Sequence, residues 1–206
     1  MVTKHMVHLN GHLLCSIDVE TTGLEADKHE LLQVCFLPLD NLLEPSKHYT
    51  PFDVYIRPER PEDIDAAATS VNQIELATIM ATGFDKWQAA DLFDDWFENL
   101  NLGGKRITPL AHNWPFDRGF LIEWMGWENF NYRIDGRFRD TMAEANAMND
   151  RSDFNGQQTP FPSGTNLTRV AKRLGIEVDE GRTHDALYDC LLCSKIYKKM
   201  ITEFFE

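Results

Sequence analysis

Long apolar runs are missing from this chain. No stretch approaches the roughly 18 consecutive apolar residues that a membrane helix requires. Met1 to Gly11 lacks the basic-then-apolar order of a secretory leader. A soluble, cytoplasmic protein with no membrane partner is therefore expected. Cysteine is sparse, with four residues (Cys15, Cys35, Cys190, Cys193) among 206. Two fall in apolar stretches that read as strands and two in a helical pattern, where a thiol acts as a small apolar group rather than as part of a secreted disulfide framework. Cys190 and Cys193 have zinc-like spacing but no second pair, so core packing is the simpler reading. Positive charge is also short: 20 Lys and Arg face 33 Asp and Glu, a net charge of −13. That balance argues against a nonspecific coat for DNA. It leaves room for an enzyme that grips nucleic acid through bound cations. Internal repeats and signs of a second domain are absent, and 206 residues at 43% hydrophobic content suffice for one domain with a core.

Patterning predicts strands over Leu13 to Val19, Glu30 to Pro38, Phe52 to Arg57 and Ile107 to Ala111, with a short fifth over Arg137 to Asp140. Helices are expected over the Ala-rich Pro61 to Val71, over Phe84 to Leu100, over Pro115 to Met125, over Thr141 to Met148, over Asn166 to Leu174 and over Thr183 to Phe204. Residues 1–11 read as a mobile terminus, and Asn149 to Gly164, rich in polar residues, Pro and Gly, as a flexible loop. The order implies an α/β domain built on a central sheet.

The run Cys15-Ser16-Ile17-Asp18-Val19-Glu20-Thr21-Thr22-Gly23 puts two carboxylates two residues apart at the end of an apolar stretch. A strand alternates faces with period two, so Asp18 and Glu20 project to the same side. Adjacent acids repel, and a divalent cation between them is the usual remedy. Two further segments supply candidate partners: His112 to Asp117, entering a helix after a strand, and Thr183 to Asp189, opening the last helix. Four carboxylates and a histidine at strand ends and helix starts make a plausible two-metal site for phosphoryl displacement, with oxygen donors suited to magnesium. Regular helical spacing would pair Asp185 with Asp189 and set His184 about 140° away from Asp189.

These segments resemble the three motifs of the DEDDh family of 3′→5′ exonucleases, the group of the proofreading subunit of bacterial DNA polymerase III, ribonuclease T and oligoribonuclease. Asp-x-Glu-Thr-Thr-Gly stands at Asp18 to Gly23, His-Asn-x-x-Phe-Asp-x-x-Phe-Leu at His112 to Leu121, and His-x-Ala-x-x-Asp at His184, Ala186 and Asp189. The resemblance implies a ribonuclease-H-like fold, a mixed sheet of about five strands flanked by helices. It implies that Asp18, Glu20 and Asp189 hold one Mg2+, that Asp18 bridges to a second supported by Asp117, and that Mn2+ substitutes. It makes His184 the base that takes a proton from water, on the loop entering the helix; by residue type Thr183 reads as the N-cap, which would leave His184 at the first turn. It assigns Glu20 and the Thr21 backbone to the 3′-hydroxyl of a nucleic acid, with a single-stranded 3′ end favoured and nucleoside 5′-monophosphates as products. Asn113 is expected to orient the second motif's turn, and Phe116 to lie near substrate. A homodimer or a polymerase partner is left open, as are DNA against RNA and the preference for single over double strands. A non-catalytic module on the same fold and a phosphodiesterase for small dinucleotides are the alternatives.

Other features read more plainly. His5, His8 and His12 are expected to be terminal histidines rather than ligands. Trp114, Phe116, Phe120, Trp124 and Trp127 could stack bases, but at helical spacing the run reads as core, with Trp114 and Phe116, beside the second motif, the two expected near the substrate. Asp140 is expected to lie near the site without touching the chemistry. Lys105, Arg106, Arg118, Arg169, Lys172, Arg173 and Arg182 lie near the motifs in sequence, with Arg169 and Arg173 on one helix face, either for backbone phosphates or as ordinary surface charge.

Overall fold

The computed structural model describes residues 9–64 and 76–203. His5, His8, residues 65–71 of the Ala-rich piece and Phe204 lie outside the described residues. Five strands form one sheet in the order β3-β2-β1-β4-β5: β1 (Leu13–Thr21), β2 (Leu31–Pro38), β3 (Phe52–Tyr55), β4 (Ile107–Ala111) and β5 (Arg139–Asp140). β1 runs antiparallel to β2 and parallel to β4; β2–β3 is antiparallel and β4–β5 parallel. This is the mixed sheet that the sequence implied.

Alternation along β1 divides its residues between two layers. Cys15, Ile17 and Val19 face a core with Val34, Phe36, Phe93, Phe97 and Phe120. α2 (Lys86–Asn99) and α3 (Trp114–Met125) supply most of that layer. Leu14, with Cys35 and Leu37 of β2, faces α7 (Ala186–Glu203) through Ala186, Cys190 and Cys193. Asp18 and Glu20 share this second face, at the strand end where the apolar packing stops. The four cysteines are free and buried, as small core side chains.

Several boundaries differ from the sequence pattern for local reasons. Phe84 lies outside α2 because Asp85 is its N-cap: Asp85 Oδ1 accepts the Trp87 and Gln88 amides, and Gln88 Oε1 accepts the Asp85 amide in a capping box. Phe84 instead bridges to Ile56. Pro61–Asp63 forms a 3-10 turn. The short helices α1 (Leu76–Thr82) and α4 (Trp127–Arg133) carry no long periodic pattern and were not expected. Gly126, at φ 76°, separates α3 from α4.

The loop expected over Asn149 to Gly164 begins later than the sequence pattern has it. α5 runs Thr141–Phe154, taking in the first residues of Asn149 to Gly164. The remainder is anchored: Asn149 exchanges two hydrogen bonds with the backbone of Phe161 (3.0 and 2.8 Å), and Phe161 is buried against α5, α7 and α6 (Leu167–Arg173). Polar composition misled because Asn149 spends its amide on the chain itself.

Candidate active site

β1 delivers Asp18 and Glu20, and its register with β2 shifts between Glu20 and Thr21. Such a bulge re-aims a strand end beside a site. The turn that follows is tightly tied. Thr21 Oγ1 donates to Gly23 O (2.7 Å), and Thr22 exchanges bonds with Glu30. A β-carbon at Gly23 would lie 2.2 Å from His29 Cδ2, so a larger residue would displace that ring.

α3 brings Asp117. Its carboxylate accepts the Val19 amide (3.2 Å), which couples the second motif to the strand between Asp18 and Glu20. Asn113 enters α3 in the left-handed conformation (φ 78°, ψ 53°) and makes no side-chain cap; it shapes the turn through its backbone and is exposed. Phe116 is half-buried, its ring 5.1 Å from that of Phe120, whereas Trp114, also expected near the substrate, is buried in the core and stacked on Phe130 (6.3 Å).

α7 begins at Ala186, not at Thr183. Asp185 is the cap: its Oδ1 accepts the Tyr188 amide (2.8 Å) and its carbonyl accepts the Asp189 amide. His184 therefore precedes the helix, with φ 67°. Its amide donates to Asp189 Oδ2 (3.2 Å). The left-handed residue escapes the helical periodicity that would have set His184 apart from Asp189. Glu20, His184 and Asp189 each place a ligand atom within 4.8 Å of the others'.

Burial and mutual repulsion push every carboxylate of the group up. Asp18 is raised well above the usual range by burial, then by Asp117, Glu20 and Asp189. Glu20 is pushed up to about 9 by burial and by Asp189, Asp117 and Asp185. Asp117 is raised by burial against the opposing pull of the Val19 amide. Asp189 rises to about 7 through burial. Burial also lowers His184, which favours its neutral form at pH 7. Asp189 Oδ1 is buried with no hydrogen-bond partner. An unpaired buried carboxylate oxygen among raised acids fits a bound divalent cation.

Residues that the motifs do not contain hold this geometry. Gln33, buried opposite Glu20 on β2, donates to Asp53 Oδ1 (2.9 Å) and accepts the Ala186 amide (3.2 Å), docking the start of α7 on the sheet. Asp140 has a larger part than the sequence suggested. It accepts the amides of Asn113 (3.1 Å), Trp114 (2.9 Å), Met142 (2.9 Å) and Ala143 (3.1 Å), so one carboxylate caps α5 and fixes the Asn113 turn. Asp140→Ala should lower stability by about 2 kcal/mol or more, read as a lowered melting temperature. An unchanged melting temperature would contradict this role. His112 is pinned between Thr141 Oγ1 and Thr165 O (both 2.8 Å) and is lowered to about 4 by burial, as a neutral strut rather than a base. His12 faces Asp135 (3.1 Å) and Arg106, away from the acids.

A five-stranded mixed sheet with acids at the end of β1 and the starts of α3 and α7 defines a ribonuclease-H-like exonuclease fold. The exonuclease family model (RNase T) matches residues 15–197, and the chain belongs to that family. No curated protein matches the sequence. Among solved structures, a zinc-bound Escherichia coli exonuclease I–single-stranded DNA complex is 18% identical with a TM-score of 0.73; the alignment covers 93% of this chain and 40% of that one. Exonuclease I of Methylocaldum szegediense is 17% identical (TM-score 0.69; 93% and 41% covered). The nuclease domain of 3'hExo, a DEDDh family member bound to rAMP, is 22% identical (TM-score 0.64), with 93% of this chain and 92% of that one covered. The chain thus spans about two fifths of the exonuclease I chains and nearly the whole of the 3'hExo domain. Among the described residues, no helix is long and apolar enough to cross a membrane.

Proposed function

We propose that the protein is a metal-dependent 3′→5′ exonuclease that releases nucleoside 5′-monophosphates from a single-stranded 3′ end. The convergence of Glu20, His184 and Asp189 within 4.8 Å carries this reading, with the unpaired Asp189 Oδ1 beside it. The single-stranded DNA and rAMP held by the fold's neighbours support the substrate class.

Asp18, Glu20 and Asp189 would hold one divalent cation, and Asp18 with Asp117 a second; oxygen donors suit Mg2+, with Mn2+ as substitute. Such ions supply charge neutralisation at the scissile phosphate and a more acidic water. The chain supplies the rest. His184, neutral at pH 7 and held outside α7, accepts the proton of the attacking water. Its backbone bond to Asp189 keeps the ring loop beside the acids. Glu20 and the Thr21 backbone, at the end of β1 where its register with β2 shifts, hold the terminal 3′-hydroxyl. Phe116 and the Asn113 turn flank the terminal nucleotide.

End-labelled digestion tests this directly. With Mg2+, 5′-labelled single-stranded DNA or RNA should shorten stepwise from the 3′ end, releasing mononucleotides, and chelator should stop it. Binding without cleavage, or cleavage restricted to dinucleotides, would overturn the assignment. Matched DNA, RNA and duplex substrates in the same assay assign the preferred strand.

A further inference from the structure

α6 sets three cations on seven residues, Arg169, Lys172 and Arg173, in a chain where acids outnumber bases 33 to 20. Together with the Phe161–Gly164 segment they line a hollow of about 350 Å³. Like charges at these spacings repel along a helix, so their grouping calls for an anion.

Their partners leave most of that charge uncompensated. Arg169 is exposed, and its guanidinium has no partner among the described residues; it lies 3.0 Å from where a β-carbon on Gly164 would stand. Arg173 spends its Nε on a neutral acceptor, the Pro160 carbonyl (2.6 Å), which anchors the wall of the hollow without cancelling its charge. Lys172 alone meets an acid, the exposed Glu180. A hollow elsewhere, beside Ile56 and Trp124, also holds cations, but there Arg60 and Lys86 pair with Glu30 and Glu59.

The hollow also lies at the end of the sheet that carries the acids. Thr165, next to Gly164, accepts His112 Nε2 through its carbonyl. His112 directly follows β4, which runs parallel to β1 with Ser16 opposite Leu110. Continuing that register sets His112 level with Asp18. The cations therefore stand at the end of the sheet where β1 delivers the acids, on the flank next to the second motif.

We propose that this hollow binds the phosphodiester backbone of the polynucleotide, on the 5′ side of the nucleotide being removed. The assignment rests on the exonuclease reading. An arginine fork suits phosphate oxygens, and Lys172 exchanges Glu180 for phosphate when a strand is present. The acids take the 3′ terminus and α6 takes the strand behind it, so a chain of net negative charge grips a polyanion through one local positive patch.

Arg169→Gln and Arg169→Lys test it, both at an exposed helix position, with the full chain. Binding of fluorescent oligothymidylate and oligouridylate dodecamers is titrated against salt in an Asp18→Asn background that prevents turnover. Arg169→Gln removes one cation from the phosphate path and should flatten the log–log salt slope by about 0.7, and Arg169→Lys should restore it. With Asp18 intact, the ratio of kcat/KM on the dodecamer to that on a dinucleotide should fall about fivefold in Arg169→Gln. A salt slope and length ratio equal to those of the unsubstituted chain overturn the proposal. If the unsubstituted chain cleaves no oligonucleotide but Arg169→Gln still flattens the slope, the hollow stands and the exonuclease reading falls.

Discussion

Asp18→Asn is expected to reduce oligonucleotide hydrolysis by about a thousandfold or more, with a melting temperature in chelator at pH 8 equal to or above that of the unsubstituted protein. The two effects have one cause. Asp18 stands where the fields of Asp117, Glu20 and Asp189 meet, and its carboxyl is raised by burial and by all three. In the absence of a cation that concentration of charge opposes folding. Asparagine keeps the shape and removes one charge, which relieves repulsion in the fold and withdraws the ligand common to both proposed cations. A variant that was merely misfolded would lose activity and stability together. Activity retained in Asp18→Asn would refute the assigned site, and a large fall in melting temperature would show that Asp18 holds the fold instead. Asp185→Asn is the internal comparison. Asparagine caps helices about as well as aspartate, and Asp185 accepts the Tyr188 amide at the entry to α7, so its loss of activity should be far smaller.

The acids were legible in the sequence because they obey short periods. Asp18 and Glu20 share a face by strand alternation alone, and Asp117 sits in the first turn of a helix that Pro115 helps to start. β4 was legible to the residue, being short, apolar and bounded by polar sequence. What stayed hidden depends on contacts far apart in the chain. Nothing local marks Gln33, whose bond to the Ala186 amide spans 153 positions. Asp140 looked like a bystander because its four amide partners come from two segments, one 26–27 positions away. His184 could not be placed by helical arithmetic, since a positive φ removes it from the helix. The helix runs past Asn149, where composition places a loop, for the converse reason. Composition counts polar residues, but it does not show that Asn149 and Phe161 satisfy each other.

These placements bear on how the site is kept ready. Asp117 reaches Val19, Asp189 reaches the His184 amide and Gln33 reaches Ala186, so each of the three motifs is tied to the fold by a hydrogen bond between a side chain and a backbone amide. The supports are neutral amides, and they hold the acids together without neutralising them. On the proposed reading a bound cation relieves that repulsion, which would link stability, pH and metal.

In chelator, the melting temperature should rise as pH falls from 9 to 7, by about 5 °C. Glu20 is pushed up to about 9 and Asp189 to about 7, whereas both titrate near 4 in an unfolded chain. Over this window the folded state therefore binds more protons than the unfolded state, and stability is lost as pH rises. His112 works in the opposite direction at lower pH. Its folded value, about 4, lies below the unfolded one near 6.5, so the stability it contributes is lost as pH falls below that point, and the trend should level off under pH 6.5. Asp135, held below the usual carboxylate range by Arg137, acts only in more acidic solution. Excess Mg2+ should remove the slope between pH 7 and 9 or invert it, because its ligands must be deprotonated and its affinity grows with pH. Glu20→Gln should flatten the slope in chelator. A chelated protein whose melting temperature is level or rises from pH 7 to pH 9, or one that Mg2+ does not stabilise at pH 9, would refute a cation site built on Glu20 and Asp189.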